Sequence, residues 1–169
     1  MKYEYAVIYQ SFTGNTEKIA KAVYNAIESE SKQIVSIDEM DTIPEAKVYF
    51  VGFNIHNDTC SIEIIDCLEQ INGEYVALFS SCGYVPTEEY RKLIEDKIRV
   101  WLPDSSECLG LYVCQGRIQR EQRERMIKSM PDKAEILGRM FEIGDSHPDE
   151  IDLCNAAEFS KYVQSKIKL

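Results

Sequence analysis

The sequence predicts an α/β protein, a three-layer sandwich around a five-stranded parallel sheet, on three observations. Five short segments rich in β-branched and aromatic residues are apolar on both faces, as strands buried between two helix layers are. Amphipathic stretches with a 3.6-residue period separate them. The two kinds of segment alternate along the chain, and β-α-β units in one sheet close through right-handed crossovers.

Residues 3–9 (YEYAVIY) read as the first strand, and Ile19, Val23 and Ile27 recur at i, i+4 and i+8 on the helix that follows. Residues 33–37 (QIVSI) and 47–53 (KVYFVGF) are the second and third strands. Ile62, Ile65, Leu68 and Ile71 are expected on the buried stripe of the next helix. Residues 74–80 (EYVALFS) form the fourth strand, Tyr90, Leu93, Ile94, Ile98 and Trp101 mark another helix, and residues 107–114 (ECLGLYVC) form the fifth strand. A last amphipathic helix over 155–167 places Ala156, Phe159, Val163 and Ile167 on one stripe. Segment 115–150 is too long for a connection and carries helical pieces around Met126–Met130 and Ala134–Phe141, so it reads as a helical insertion before the last helix. Within it, Ser146-His147-Pro148-Asp149 has the form of a helix start with proline in the first turn.

At 169 residues the chain is expected to be one domain over 1–169. No apolar run reaches the roughly 18 residues that would span a bilayer. The N-terminus enters an apolar run without the regions of a secretory signal, which predicts a cytoplasmic protein. The six cysteines include no C-x-x-C pair, so they are expected to be free thiols and not iron-sulfur or zinc ligands. With 19 Lys and Arg against 29 Asp and Glu, the net charge of -10 excludes a general nucleic-acid surface and favours partners with basic patches.

Open parallel sheets bind ligands at the carboxyl ends of their strands, so those ends carry the functional information. After the first strand stands Ser11-Phe12-Thr13-Gly14-Asn15-Thr16, ahead of a helix and with no basic residue before Lys18. It lacks the three glycines of a dinucleotide fingerprint and the Gly-Lys-Ser/Thr of a nucleoside-triphosphate loop. A receiver domain needs acidic residues after strands one and three and a lysine after strand five, where this chain has Gln10-Ser11, Gly52-Phe53 and Cys114-Gln115. What remains is a phosphate cradle of hydroxyls and backbone amides at a helix N-terminus. Ser11, Thr13 and Thr16 can donate, and Gly14 lets the backbone approach an anion. A plain Thr or Asn helix cap is the alternative, and three hydroxyls around one glycine exceed what a cap needs.

The stretch "SFTGNT" resembles the phosphate loop of flavodoxins, Ser/Thr-x-Thr-Gly-x-Thr. "VGFNIHNDT", "ALFSSCGYVP", "VCQGRI" and "HPDEIDLCNAAEF" resemble, in the same order, segments of a flavodoxin subfamily common in anaerobic bacteria. The resemblance implies a flavodoxin-like fold of strand order 2-1-3-4-5, FMN as the ligand, and electron transfer between redox partners. Its rivals are a small FMN-dependent NAD(P)H or quinone reductase and a docking subunit without FMN. It also implies the site: Ser11, Phe12, Thr13, Gly14, Asn15 and Thr16 at the phosphate, with Phe53, Asn54, Ile55, His56, Asn57, Ser80, Ser81, Cys82, Gly83 and Tyr84 at the isoalloxazine. Tyr84 is the expected stacking partner, and Gln115 and Gly116 line the pocket. The subfamily usually has tryptophan where Asn54 stands and glycine where Asp58 stands. Asn57 and Asp58 are the residues that best tolerate positive φ after glycine. No catalytic side chain and no metal ligand are expected, because a flavin carries the electron chemistry itself.

Two other patterns compete. Cys114 to Arg120 fits the C-x5-R spacing of tyrosine phosphatases, but Glu121 replaces the usual Ser or Thr. Arg117, Arg120, Arg123, Arg125 and Lys128 form a basic stretch, in which Arg120 with Glu124 and Glu121 with Arg125 are i, i+4 pairs of a solvated helix face. Docking of an acidic partner or a protomer contact is the alternative for that stretch.

Overall fold

The computed structural model describes residues 2–167. Strands β1 (Tyr3–Tyr9), β2 (Lys32–Ser36), β3 (Ala46–Asn54), β4 (Tyr75–Cys82) and β5 (Glu107–Gln115) pair in parallel in the order β2-β1-β3-β4-β5. The strand order is the one the resemblance implies.

Because successive side chains of a strand point to opposite faces, runs that are apolar throughout feed two cores. Ala6, Ile8, Val51, Phe53, Val76 and Leu78 pack on one face of the sheet under Ile64 and Leu68 of α2 (Ile62–Gln70) and Ile94 and Ile98 of α3 (Glu88–Arg99). Val7, Val48, Phe50, Ala77 and Phe79 pack on the other face under Ile19 and Val23 of α1 (Asn15–Asn25) and Ala156 and Val163 of the last helix. In the register of β3 and β4, Gly52 lies opposite Phe79, and a Cβ on Gly52 would stand 2.1 Å from Cε2 of that ring. Only glycine admits the ring there.

Two helix stripes differ from the expectation. On α2 the buried positions are Ile64, Cys67 and Leu68, and Ile62 is 62% exposed. Ser61 caps that helix by accepting the Ile64 N–H, which makes Ile62 its first residue and turns it outward. On α3, Ile94 and Ile98 define the inward line, leaving Leu93 and Trp101 exposed.

Beyond β5 the chain forms α4 (Arg120–Ser129), a 3-10 turn at Pro131–Lys133 and α5 (Ala134–Gly144) before α6 (Glu150–Lys166). The insertion has its own small apolar cluster of Ile118, Leu137 and Phe141, with Met126, Met130 and Met140 against it. Helix α6 starts five residues earlier than its apolar stripe suggests, at a capping box made by Asp149 and Asp152. Among the described residues no helix is long and apolar enough to cross a membrane.

Candidate ligand-binding site

The loops after β1, β3 and β4 and the turn after β5 meet at one edge of the sheet. Helix α1 is capped by Gly14 at φ 87°, a left-handed conformation that glycine adopts without strain, and no atom lies within 4 Å of where its Cβ would be. The first amides of any helix lack an intrahelical acceptor, so this start offers donors to an anion. The Ser11 hydroxyl already accepts two N–H groups, those of Gly14 (3.1 Å) and Glu17 (3.2 Å). Thr16 is fully buried, and its Oγ1 lies 3.2 Å from Oγ of Ser81. Of the three hydroxyls, only that of Thr13 belongs to an exposed residue. Of the other two, the Ser11 hydroxyl serves amides at the start of α1 and that of Thr16 ties α1 to β4.

Asn54 extends the polar link. Its Nδ2 donates to Ser81 Oγ at 3.2 Å, and its Oδ1 accepts the Phe12 N–H at 3.5 Å, tying the loop after β1 to the ends of β3 and β4. Phe12 itself is 68% exposed. Asn15 Nδ2 donates to the Arg117 carbonyl at 3.0 Å, which fastens the turn after β5 to the start of α1.

After β3, His56 and Thr59 exchange two backbone hydrogen bonds (2.9 and 3.1 Å) across a two-residue turn in which Asn57 and Asp58 have φ of 50° and 58°. Both residues take the positive φ expected of them, the signature of a tight hairpin turn. The Asp58 carboxylate accepts from Tyr90 OH at 3.1 Å and lies 3.6 Å from Lys97 Nζ. Burial and then the bond to Asp58 push the Tyr90 phenol up. His56 is exposed and Ile55 half-buried, with the Ile55 N–H donating to the Ser81 carbonyl at 3.2 Å.

Phe53 and Ser80 turn away from the edge. The Phe53 ring is buried in the core, and the Ser80 hydroxyl donates to the Phe53 carbonyl at 2.6 Å, because both stand at inward positions of their strands. After β4, the buried Cys82 thiol donates to the Tyr84 carbonyl at 3.1 Å, burial pushing its pKa to about 11, whereas Tyr84 is 48% exposed. Gln115 is buried, its Nε2 donating to the carbonyls of Gly83 (3.3 Å) and Met140 (3.4 Å). The Gly116 N–H donates to the Cys82 carbonyl at 2.7 Å.

Three adjoining cavities cross this edge. The first, about 530 Å³, is lined by Thr13, Asn15, Lys18, Arg117, Arg120 and His147 together with Glu121 and Asp145, the last 3.3 Å from Arg117 Nε. The middle one, about 60 Å³, touches Thr13, Asn54, Ser81, Gly83 and Gly116. The third, about 450 Å³, is bounded by Ile55, His56, Asn57, Tyr84, Tyr90, Ile118, Met126 and Met130. Ile118 makes the narrow waist, for a Cβ on Gly83 would stand 2.5 Å from its Cδ1. Sequence reasoning missed the cations at the first cavity: Arg117 and Arg120 were visible only as part of a basic stretch read as a solvated face. It also missed Ile118, Met126 and Met130.

The competing patterns resolve simply. Cys114 is buried, burial pushes its thiol far up, and the Arg120 side chain is 91% exposed, so the pair makes neither a thiolate nor a phosphate clamp. Asp149 Oδ1 accepts the N–H groups of Ile151 and Asp152 (both 2.9 Å), and Asp152 Oδ2 accepts the Asp149 N–H (2.9 Å) beside His147 Nδ1 (2.5 Å), so this acidic cluster is the capping of α6. Arg120 with Glu124 (2.9 Å) and Arg125 with Glu121 (3.9 Å) pair along α4 as expected. Arg123 differs. It donates to the Ile118 carbonyl at 2.6 Å, pairs with Asp145, and stacks 5.2 Å from the centre of the Phe141 ring.

A parallel sheet of order 2-1-3-4-5, with a loop of hydroxyls and glycine at the strand where the order reverses and polar and aromatic loops beside it, defines a doubly wound α/β protein whose candidate site lies across the ends of β1, β3 and β4. The flavodoxin domain family model matches residues 6–161, and the chain belongs to that family. It is 31% identical over 172 residues to the flavodoxin-like domain-containing protein BilS of Clostridioides difficile, covering 96% of this chain and 97% of the relative. Among solved structures, the flavodoxin of Streptococcus pneumoniae TIGR4 superposes with a TM-score of 0.59 at 18% identity, over 96% of this chain and 99% of that one. A flavoprotein from Lactobacillus acidophilus, solved in complex with FMN, superposes with a TM-score of 0.52 at 14% identity, over 66% and 93%. These two likenesses show the fold.

Proposed function

We propose that the chain binds FMN noncovalently and shuttles electrons between larger redox partners. The observation that carries this reading is the start of α1: an open, left-handed Gly14 and free-standing Thr13 beside Lys18 and Arg117, at one end of a band of cavities whose other end is faced by Tyr84. An elongated ligand with a phosphate at one end and a flat ring at the other fits the two larger cavities. For one molecule to fill both, the Ile118 side chain must rotate off Gly83, and its flexible Cδ1 end is the part in the way. The Lactobacillus flavoprotein, which holds FMN on this fold, supports the reading.

In this reading the amides at the start of α1, Thr13, Lys18 and Arg117 hold the phosphate, and Ile55, His56 and Tyr84 border the ring. FMN supplies reversible one- and two-electron chemistry when bound. The chain's own contribution is electrostatic and steric. Each carboxylate ~10 Å from the ring disfavours added negative charge there by roughly 1 to 2 kcal/mol before salt screening. Asp58, in the turn nearest the ring end, is offset by Lys97 at 3.6 Å. The net charge of -10 suits docking to basic partner surfaces. Free cysteines throughout suit a reducing cytoplasm.

The test is the visible spectrum of the purified protein and its titration with FMN. A yellow protein, or one that takes up FMN stoichiometrically, is expected, and Thr13→Ala should weaken binding by roughly three- to tenfold without lowering the melting temperature. A colourless chain that takes up no FMN overturns the proposal and supports a docking subunit. One observation favours a second reading: Asn54 folds down onto Ser81 and leaves that side of the site without a large aromatic, which opens room for a second substrate. Steady NAD(P)H-quinone turnover by the protein alone would establish such a reductase, and turnover only with an added reductase would establish the shuttle.

A further inference from the structure

We infer that α4, the first helix of the insertion, is a wall of the flavin site and that its Met126, with Met130 at its C-terminal cap, roofs the ring end. The inference rests on the FMN reading above and assigns the insertion a role in it.

Gln122 and Met126 stand four residues apart on one stripe of α4, and Met130 is the residue that caps its C-terminus, its N–H donating to the Met126 carbonyl at 3.0 Å; all three line the cavity of about 450 Å³ that Tyr84 and His56 border. The rest of α4 is charged: its sequence is REQRERMIKS and none of its residues is fully buried. A helix of that composition is not held by core burial. What holds it is Arg123, whose Nε donates to the Ile118 carbonyl, whose guanidinium pairs with Asp145 at the end of α5, and whose plane lies over Phe141. These three contacts fix the roll of the helix and so choose which stripe meets the cavity. The stripe they choose carries Met126 and leads into Met130, and both methionines pack against the cluster of Ile118, Leu137 and Phe141 and border the cavity.

The chemistry of that stripe selects a flat aromatic group. Methionine is unbranched and polarizable, fills irregular space, and places its sulfur favourably against aromatic rings. Tyr84 supplies an aromatic face to the same space. Gln122, which also borders the narrow middle cavity, adds an amide that can donate to or accept from a ring edge.

The experiment is mild peroxide oxidation of the whole chain with and without saturating FMN, reading methionine sulfoxide by mass spectrometry. FMN should slow oxidation of Met126 and Met130 several-fold and leave Met40, which packs on the main core, unchanged. Riboflavin, which lacks the phosphate, should protect the same two methionines at higher concentration. The pair Met126→Ala with Met130→Ala should raise the FMN dissociation constant by about tenfold, the loss of roughly half of each side chain's apolar contact. Met126→Leu with Met130→Leu should restore most of it. FMN uptake with both methionines oxidised at the unliganded rate, or Ala variants that bind FMN like the parent, overturns the roof alone. A parent chain that takes up no FMN overturns the roof together with the FMN reading.

Discussion

Thr16 is buried to the last atom and its hydroxyl meets Ser81 across a sequence separation of 65 residues. Thr16→Val keeps the shape and deletes the bond, and should cost about 1 to 2 kcal/mol in chemical denaturation. Ser11 is a different case. Its oxygen serves the amides of Gly14 and Glu17, which are among the donors an anion would use. Ser11→Ala should lower the stability of the free protein by about 1 kcal/mol, yet enlarge the thermal shift produced by FMN, since the ligand then satisfies amides that nothing else does. A smaller shift than in the parent would mean that Ser11 itself contacts the phosphate. At this scale the loop was legible because its signal is local: hydroxyls and a glycine before an amphipathic helix. Its partners Ser81 and Arg117 were not, since 65 and 102 residues separate them from Thr16 and Asn15, and no local pattern encodes such pairings.

Strands were legible as elements because a parallel strand covered on both faces is apolar at every position, and the bounds of β1 agree with the reading residue for residue. Helix phase was harder. One capping serine at position 61 rotates α2 so that Ile62 faces water, an effect that counting apolar residues cannot see. At the center of the sheet, Gly52→Ala would drive a methyl into the Phe79 ring and should destabilise by about 3 kcal/mol, measured as a lower denaturation midpoint. The ion pair that ties α4 to the end of α5 should respond to acid. The hydrogen bond from Arg123, and then the charges of Arg123 and Arg117, hold the Asp145 carboxyl below its ordinary value of 3.8. A depressed carboxylate stabilises above its unfolded value and loses that contribution as pH falls through the folded one. Amide exchange in α4 and α5, corrected for its intrinsic rate, should therefore accelerate below pH 3.8 before the sheet responds, and Asp145→Asn should abolish the acid dependence.

For the molecule as a whole, the proposed docking to a basic redox partner carries a test: with a net charge of -10, association should slow steeply with salt, by about an order of magnitude between low and physiological ionic strength in stopped-flow measurements. The same two-layered burial that shapes the sheet also sorts the sulfurs. Cys60, Cys67, Cys82 and Cys114 are enclosed, Cys108 is half covered, and Cys154 stands on the outer side of α6. A maleimide dye should consequently mark the folded chain at position 154 within moments, reach position 108 later, and count the remaining four only at the tempo of global opening. Residue 154 is thus a ready anchor for tethering the protein to an electrode.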